Sequence, residues 1–345
     1  MARYLGGLIT ADESLVIPAD NYAATSAPGV WTLAEAELLN KSNRWPTAGN
    51  VQPIAMWLGG NNNASAQVAT IDFLTIATSG NASDFGDLTA NRGDVGGLGS
   101  ATRAVVGGGD TSGTAALNII EYVTFASQGD ATDFGDLDQA AHGISAVCNG
   151  TRGVFCGGTD GGGTYYNNLQ YITVASTGNA TDFGDASRAY SYFGTCESTT
   201  RGIMFFGYID NSDPTKIDYI TIASAGNSTD FGDATTGTRY IMNHGASSST
   251  RGVVGGGVSH NTLDYVTMAS TGNAVDFGDL VAASYHHSAC SSKITGLWAG
   301  GYAGGFTDTI QKITIASTGN ASDYGDLTAQ KWTMASASNV HGGIA

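Results

Sequence analysis

The sequence contains little proline and little positive charge. Among 345 residues there are 5 prolines and 14 lysines and arginines, against 30 aspartates and glutamates, which gives a formal charge of −16. A shortage of cationic residues argues against nucleic-acid binding, because phosphate backbones are held by clustered Lys and Arg. It also argues against docking on anionic lipid. We therefore expect no nucleic-acid partner.

Long apolar runs and paired cysteines are missing as well. No stretch approaches the ~20 apolar residues that span a bilayer, and the first residues lack a basic segment followed by an apolar run, so we expect neither membrane insertion nor a signal peptide. The four cysteines form no CxxC pair, which favours buried free thiols over zinc binding. These cysteines are Cys148, Cys156, Cys196 and Cys290.

Glycine is abundant instead, with 50 residues, and 41% of the chain is apolar. Disordered and collagen-like chains combine glycine with far more proline than this. The composition therefore predicts a large core, with glycine marking tight turns.

One segment recurs along most of the chain. Its first copy is Ile71–Asp87, and later copies end at Asp136, Asp185, Asp233, Asp279 and Asp326, at intervals of 46 to 49 residues. Each period holds four short runs separated by Gly, Asn and Ser, which predicts four strands. The first run is small and polar, the second and third are rich in Ile, Val, Thr and Tyr, and the fourth begins at Asp-Phe-Gly-Asp. Four-stranded units repeated at ~40–50 residues are typical of β-propellers. We predict an all-β, six-bladed β-propeller over residues 54–345.

The two ends of the repeat region predict how the ring closes. Trp332–Ser338 has the pattern of an innermost strand with no second strand after it, and Ile54–Gly60 is a second strand with no first. We predict that the C-terminal strand completes the first blade, which removes open sheet edges.

Residues 1–53 lack the repeat. Trp31–Lys41 has the pattern of a short amphipathic helix with a capping box at its start. Its apolar residues, together with a later tryptophan, either pack under the propeller or form an attachment or oligomerisation arm. These residues are Trp31, Leu38 and Trp45.

Two patterns resemble known families. The second strand ending in Gly-Gly, with a Tyr in the next strand, is similar to kelch-type blades, although the Phe of Asp-Phe-Gly-Asp stands where a kelch blade has Trp. The tandem copies of Ile-Asp-Tyr-Ile-Thr-Ile-Ala-Ser-Thr-Gly-Asn-Ala-Thr-Asp-Phe-Gly-Asp-Leu resemble virion proteins of marine tailed phages, notably cyanophages. The leader Pro28–Leu33, followed by Arg44-Trp-Pro46, is similar to leaders of phage tail and fibre proteins.

This resemblance implies a non-enzymatic structural protein of the virion, made in the host cytoplasm and displayed on a tail, fibre or capsid surface. Residues 1–53 would contact other virion proteins and could support a homo-oligomer. The alternative is a receptor-binding module that recognises host surface glycan. A polysaccharide-degrading enzyme is disfavoured, because no close carboxylate pair or Ser-His-Asp order stands out.

In a propeller, the second-to-third strand loops and the blade-to-blade connectors emerge on one face. Aromatic side chains beside polar groups on that face suit sugar rings or protein interfaces, although ordinary loop divergence explains them too. The predicted ligand or partner face consists of Tyr165, Tyr166, Arg188, Tyr190, Tyr192, Tyr208, Tyr240, Tyr285, Tyr302 and Trp332.

Polar residues of the repeat allow two further hypotheses. Asn81, Asp84 and Asp87, with their equivalents in later copies, could supply oxygen ligands to calcium. We favour turn formation by the same side chains and expect no cofactor. The arginine that opens the second strand is predicted to pair with a neighbouring blade's motif aspartate; it occurs as Arg103, Arg152, Arg201 and Arg251.

Two histidines are predicted on innermost strands. His244 and His286 each lie seven residues before a basic residue, Arg251 and Lys293, and this spacing would place both beside the central channel. His286 and His287 are adjacent, and neighbouring residues of a strand point to opposite faces, so one metal cannot easily take both.

Overall fold

The computed structural model describes residues 52–111, 115–205, 215–236, 244–258 and 260–344. The chain divides into two compact units, Met1–Gln52 and Pro53–Ala345. The predictions for Trp31, Leu38 and Trp45, and those for Tyr208 and Tyr240, lie outside the described residues. Within the described ranges there is no helix of the length and apolarity that crossing a membrane requires.

Six four-stranded antiparallel sheets form a six-bladed β-propeller, which confirms the predicted fold. We number the blades in chain order and their strands from the central axis outward. The innermost strands are Ala335–Ser338, Gly96–Gly99, Ser145–Cys148, Gly194–Glu197, Ala246–Ser247 and Ser288–Ser291. The second strands are Ile54–Leu58, Arg103–Gly107, Arg152–Cys156, Arg201–Phe205, Arg251–Gly257 and Thr295–Ala299.

The two outer positions of each blade hold the repeated segment. The third strands are Thr70–Thr75, Ile119–Thr124, Asn168–Thr173, Lys216–Thr221, His260–Thr267 and Thr309–Thr314. The outermost strands are Ser83–Asp87, Thr132–Asp136, Thr181–Asp185, Thr229–Asp233, Val275–Asp279 and Ser322–Asp326. Two short ladders add to the loops, Asn61–Asn62 with Lys331–Trp332 and Asp110–Thr111 with Ala115–Ala116.

The C-terminal strand completes blade 1, as predicted. Ala335–Ser338 pairs antiparallel with Ile54–Leu58, with Ala55 opposite Ser338 and Leu58 opposite Ala335. The first and last strands of the propeller therefore share one sheet. Blade 1 therefore has four strands like the others, and Ile54–Leu58 is not left as an open edge strand.

The hydrophobic core lies between the blades. Each of six buried clusters draws its side chains from two adjacent blades. Between blades 1 and 2, for example, Ile71 and Phe85 pack with Val106 and Phe125. All four cysteines are buried and free, as predicted. Burial raises the pKa of Cys148 to about 12, so this thiol stays protonated at neutral pH.

The repeated Gly-Asn turn and the Asp-Phe-Gly-Asp strand bind each blade to the next. Between blades 2 and 3, Gly178 N donates to Phe134 O and Ala180 N donates to Asp136 O, both at 2.7 Å. Asp136 N donates to Asn179 Oδ1 at 3.1 Å. We call this set of bonds the latch.

The amide-to-side-chain bond of the latch recurs at all six interfaces, where the acceptor side chain is Asn five times and Asp once. At the closing interface Asp326 N donates to Asn81 Oδ1 at 3.1 Å. The motif repeats because every copy has to bind the next copy around the ring.

The predicted pairing of the second-strand arginines with motif aspartates is wrong. Arg103 Nη1 donates instead to Val174 O of the next blade at 2.9 Å, and its guanidinium lies 4.4 Å from the centroid of the Tyr122 ring. The arginines of blades 3, 4 and 5 make the same two contacts. These arginines do join adjacent blades, but they donate to a backbone carbonyl of the next blade. This contact does not depend on an acidic residue in each copy.

A second ring of polar contacts involves the third strands. Each carries one buried acid or amide, Asp72, Glu121, Gln170, Asp218, Asp264 or Gln311, none more than 7% exposed. Each accepts a hydrogen bond from the connector of the preceding blade. Val281 N, for example, donates to Gln311 Oε1 at 2.7 Å. A buried acceptor is thereby satisfied across every interface.

Two of these buried acids are neutralised by a cation from the same connector. Arg92 Nη2 lies 2.6 Å from Glu121 Oε2, and Lys331 Nζ lies 2.9 Å from Asp72 Oδ2. Arg92 and Lys331 are each the fifth residue after the last motif aspartate. All four side chains are at most 2% exposed, so either partner alone would be an uncompensated buried charge.

Where the next blade carries a neutral amide, the same connector position is small. Ala141 precedes the blade with Gln170, and Ser284 precedes the blade with Gln311. The chain therefore contains both a charged and an uncharged version of one interface. The uncharged interface therefore shows which substitutions should replace the charged pair without leaving a buried charge.

The latch predicts a steric effect at one glycine. A Cβ at Gly135 would lie 2.5 Å from the Gly178 backbone, whereas a Cβ at Gly178 would meet nothing within 4 Å, and their φ values of 146° and 153° are similar. We expect Gly135→Ala to lower the free energy of unfolding by about 2 kcal/mol more than Gly178→Ala. Denaturant titration measures both, and equal losses would contradict the close approach of the blades.

The buried ion pair predicts a rescue. Arg92→Ala should cost about 3–5 kcal/mol of stability, because it leaves the Glu121 carboxylate buried without its cation. Arg92→Ala combined with Glu121→Gln reproduces the Ala141–Gln170 pair, and should recover at least half of that loss. Denaturant titration of the single and double variants checks this. A double variant no more stable than Arg92→Ala would show that charge is not the cause.

Candidate functional site

Four connectors hold a non-glycine residue in the left-handed conformation. These residues are Asp94, Tyr192, His286 and Thr333, with φ between 53° and 58°, and Gly143 has φ of 62° at the equivalent place. Each lies two residues before an innermost strand. This conformation is costly for bulky and β-branched residues, yet glycine is used at only one of the five described positions. The retained side chains are therefore candidates for function.

These connector residues bond to one another around the end of the central channel. Gly143 N donates to Asp94 O and Tyr192 N donates to Gly143 O, both at 2.8 Å, and Thr333 N donates to His286 O at 2.9 Å. We call the channel end that they surround the mouth. Because backbone bonds fix the connectors, the side chains at the mouth are held in defined positions.

Three side chains form a hydrogen-bonded group on one side of the mouth. Tyr192 Oη donates to Asp94 Oδ2 at 3.2 Å, and His142 Nδ1 lies 3.2 Å from Tyr192 Oη and 3.6 Å from Asp94 Oδ2. Burial lowers the pKa of His142, but the hydrogen bond to Asp94 and its charge outweigh burial, so the pKa is raised. The group therefore combines a carboxylate with an imidazole that protonates readily.

Aromatic rings continue from this group across the mouth. The Tyr192 ring centroid is 5.8 Å from that of His286, which in turn is 5.0 Å from Tyr285 and 5.3 Å from Trp332. These four rings are all partly exposed. They form a continuous wall from the blade 3–4 connector to the blade 6–1 connector.

The loop of blade 6 extends the wall. Phe306 lies 5.7 Å from Trp332 with the ring planes tilted by 32°, and Tyr302 lies 5.2 Å from Phe306 and 5.3 Å from Tyr285. We call the whole set the mouth cluster, which consists of Asp94, His142, Tyr192, Tyr285, His286, Tyr302, Phe306 and Trp332. Flat apolar rings beside hydrogen-bonding groups can bind a ligand that has both characters.

The structure brings together some of the residues predicted for this face and separates others. Tyr192, Tyr285, Tyr302 and Trp332 all belong to the mouth cluster. Tyr165, Tyr166 and Arg188 are partly exposed on blade 3 and its connector, and Tyr166 packs against the core between blades 2 and 3.

Tyr190 was predicted on the exposed face, and this is wrong. Its side chain is buried at 4% exposure, and its hydroxyl donates to Asp218 Oδ2 at 3.1 Å. Burial, followed by the charge of Asp218, raises the pKa of Tyr190. Tyr190 occupies the connector position of Arg92 and Lys331, so its role is to satisfy a buried acid of the next blade.

The predicted place of His286 on an innermost strand is also wrong. The strand is Ser288–Ser291, and the second-strand residue equivalent to Arg251 is Thr295 rather than Lys293. His286 therefore falls in the left-handed connector, two residues earlier. The His287 ring makes a different contact, with Nε2 3.0 Å from Gly255 O.

Sequence reasoning missed Asp94 and His142. Both lie in connectors that differ from copy to copy, so the repeat gives them no signal. The signal that could have found Asp94 is Gly143. The two residues occupy the same position in successive copies, and the glycine suggests left-handed backbone there.

The other end of the channel is occupied by the C-terminal segment. His341 Nδ1 lies 2.8 Å from Glu197 Oε1, and His341 Nε2 lies 2.9 Å from Gly99 O. His244 lies two residues before the innermost strand Ala246–Ser247 rather than on it as predicted, but it does face the same carboxylate, with Nε2 3.8 Å from Glu197 Oε2. Burial opposes ionisation of Glu197, but the charges of His341 and His244 lower its pKa. The cavity here is about 10 Å³, room for about one water molecule.

The proposed calcium ligands serve different interfaces. Asn81 Oδ1 accepts from Asp326 N of blade 6 at 3.1 Å, whereas Asp87 N donates to Asp130 Oδ1 of blade 2 at 3.0 Å. Among the described residues, no group of three or more His, Cys, Asp or Glu could hold a metal. Calcium binding at Asn81, Asp84 and Asp87, which we consider less favoured than turn formation, stays an untested hypothesis.

Comparison of the chain with protein-family models and with curated protein sequences finds no match.

The two adjacent histidines predict an acid-dependent loss of stability. Burial lowers the pKa of both His286 and His287 to about 4, from 6.5 in the unfolded chain. As pH falls below about 6.5, the unfolded chain binds protons that the folded chain does not, so stability falls until about pH 4. His287, at 1% exposure, should account for about 3 kcal/mol of this loss.

Urea titrations at pH 7, 5.5 and 4 measure the effect. His287→Gln should flatten the decline between pH 6.5 and 4. An unchanged slope in that variant would show that His287 is not the group responsible.

Proposed function

We propose that this chain is a structural protein of a phage particle, anchored to other virion proteins through residues 1–53, which displays the propeller on a tail, fibre or capsid surface. The tandem repeats support this proposal through their resemblance to virion proteins of marine tailed phages. The architecture is compatible with it, because a closed ring with a latch at every interface suits a protein that has to stay folded outside a cell.

We further propose that the propeller binds a receptor on the host surface through the mouth cluster. The observation that carries this part is the retention of Asp94, Tyr192, His286 and Thr333 in left-handed backbone, where glycine would be less strained. Strained residues concentrate at functional sites when the surrounding structure holds them in place. Three of these four side chains belong to the mouth cluster.

Cryo-electron microscopy of purified virions tests the location. We expect density for the propeller on the particle surface, with residues 1–53 in contact with another virion protein. Density buried between capsid or tail proteins would contradict host recognition and favour a cementing role. Absence of the chain from the particle would contradict the virion proposal.

Competition for host cells tests the binding role. Purified chain added before the phage should reduce adsorption, and Trp332→Ala should weaken this block at least 10-fold, as expected for an aromatic residue at the centre of an interface. Ile294→Ala is the matched control, since Ile294 is 67% exposed in the turn between the first two strands of blade 6, at the opposite end of the strands. Equal losses in the two variants would contradict a role for the mouth.

A further inference from the structure

The mouth cluster contains two buried imidazole nitrogens with unused hydrogen-bonding capacity. Among the described residues, His142 Nε2 and His286 Nδ1 have no hydrogen-bond partner. Buried polar atoms are rarely left this way, because losing water without gaining a partner is costly. Both rings lie close to Tyr192, with centroids 6.1 and 5.8 Å from its ring. Polar groups of a ligand bound beside Tyr192 would satisfy them.

The charge around the mouth limits which ligand can bind. The charges of Asp94, Asp110 and Asp160 all favour protonation of His142, so the surroundings of this histidine are acidic. The chain as a whole carries −16. An anionic ligand would be repelled, whereas uncharged hydroxyl groups can donate to the Asp94 carboxylate, whose side chain is 16% exposed.

The aromatic wall supplies the apolar part of the recognition. The ring planes of Trp332 and Phe306 are tilted by 32° relative to one another. The Trp332 ring also contacts the His286 ring. The Trp332 indole is fixed by a hydrogen bond of 3.3 Å from Nε1 to Asn62 O. A fixed, partly exposed indole provides a flat apolar surface for the C–H face of a sugar ring.

We propose that the mouth binds the terminal residue of an uncharged saccharide, with Trp332 against the sugar ring and with Asp94 and His142 hydrogen-bonded to its hydroxyls. This inference rests on the binding role of the mouth given above and adds the class of ligand. It also gives a binding role to Asp94, which is kept in left-handed backbone.

An array of immobilised oligosaccharides tests the ligand class. The probes are glycans ending in glucose, galactose, mannose or N-acetylglucosamine, beside matched glycans ending in sialic or uronic acid. We expect saturable binding to members of the uncharged set only. Asp94→Asn should lower the affinity at least 10-fold while keeping the fold, because Asn has nearly the same shape and tolerates the left-handed conformation. Ile294→Ala should bind as the unchanged chain does.

The outcomes separate the two proposals. Preferential binding of the acidic glycans, or full binding by Asp94→Asn, would overturn the inference about an uncharged saccharide. Failure to bind any glycan, with the block of phage adsorption still lost in Trp332→Ala, would overturn the saccharide but leave the binding role. Failure in both assays would overturn both.

Discussion

The hydrogen bonds of the latch are the constraint on which the rest of the structure depends. Each blade uses its outermost strand to bind the turn of the next blade, and the bond from Asp326 N to Asn81 Oδ1 closes the series. The close approach at Gly135 leaves no room for a side chain. Since the core lies between blades, an open latch would expose the core cluster of that interface. The latch and the core of each interface therefore stabilise one another.

Rigidity of this ring is what allows strain at the mouth. A Tyr or His with left-handed backbone in an isolated loop would relax to another conformation, because too few contacts would hold the strained backbone in place. Here the connector backbone is bonded to neighbouring connectors, as from Tyr192 N to Gly143 O. The innermost strands that follow are fixed in their sheets. The fold thus holds side chains such as Asp94 and His286 in place before any ligand arrives.

The repeated positions could be read from the sequence, and the varied ones largely could not. Strand number, blade number and closure follow from the period and from the incomplete ends, and all are confirmed. Tyr190 was misplaced because its function depends on Asp218 of another blade, which a pattern within one copy cannot show. His286 was misplaced because Lys293 is not the counterpart of Arg251, and a two-residue shift moves a side chain from strand to connector. Asp94 was missed because left-handed backbone leaves a sequence signal only where glycine is present. His142 was missed because its connector differs from copy to copy.

The repeated positions make the same contact at every interface, whereas the varied positions do not. At the latch, Gly, Asn and Asp recur because the contact that they make is the same at every interface. At the connector position facing a buried acid, Arg92, Lys331 and Tyr190 differ, but each matches the partner it meets. At the left-handed position the backbone angle is nearly constant, while the side chain is Asp, Tyr, His or Thr. No difference between the described blade interfaces accounts for this change of side chain. Neither the latch nor the core requires this variation, which is why the mouth is the part of the propeller that we propose for binding.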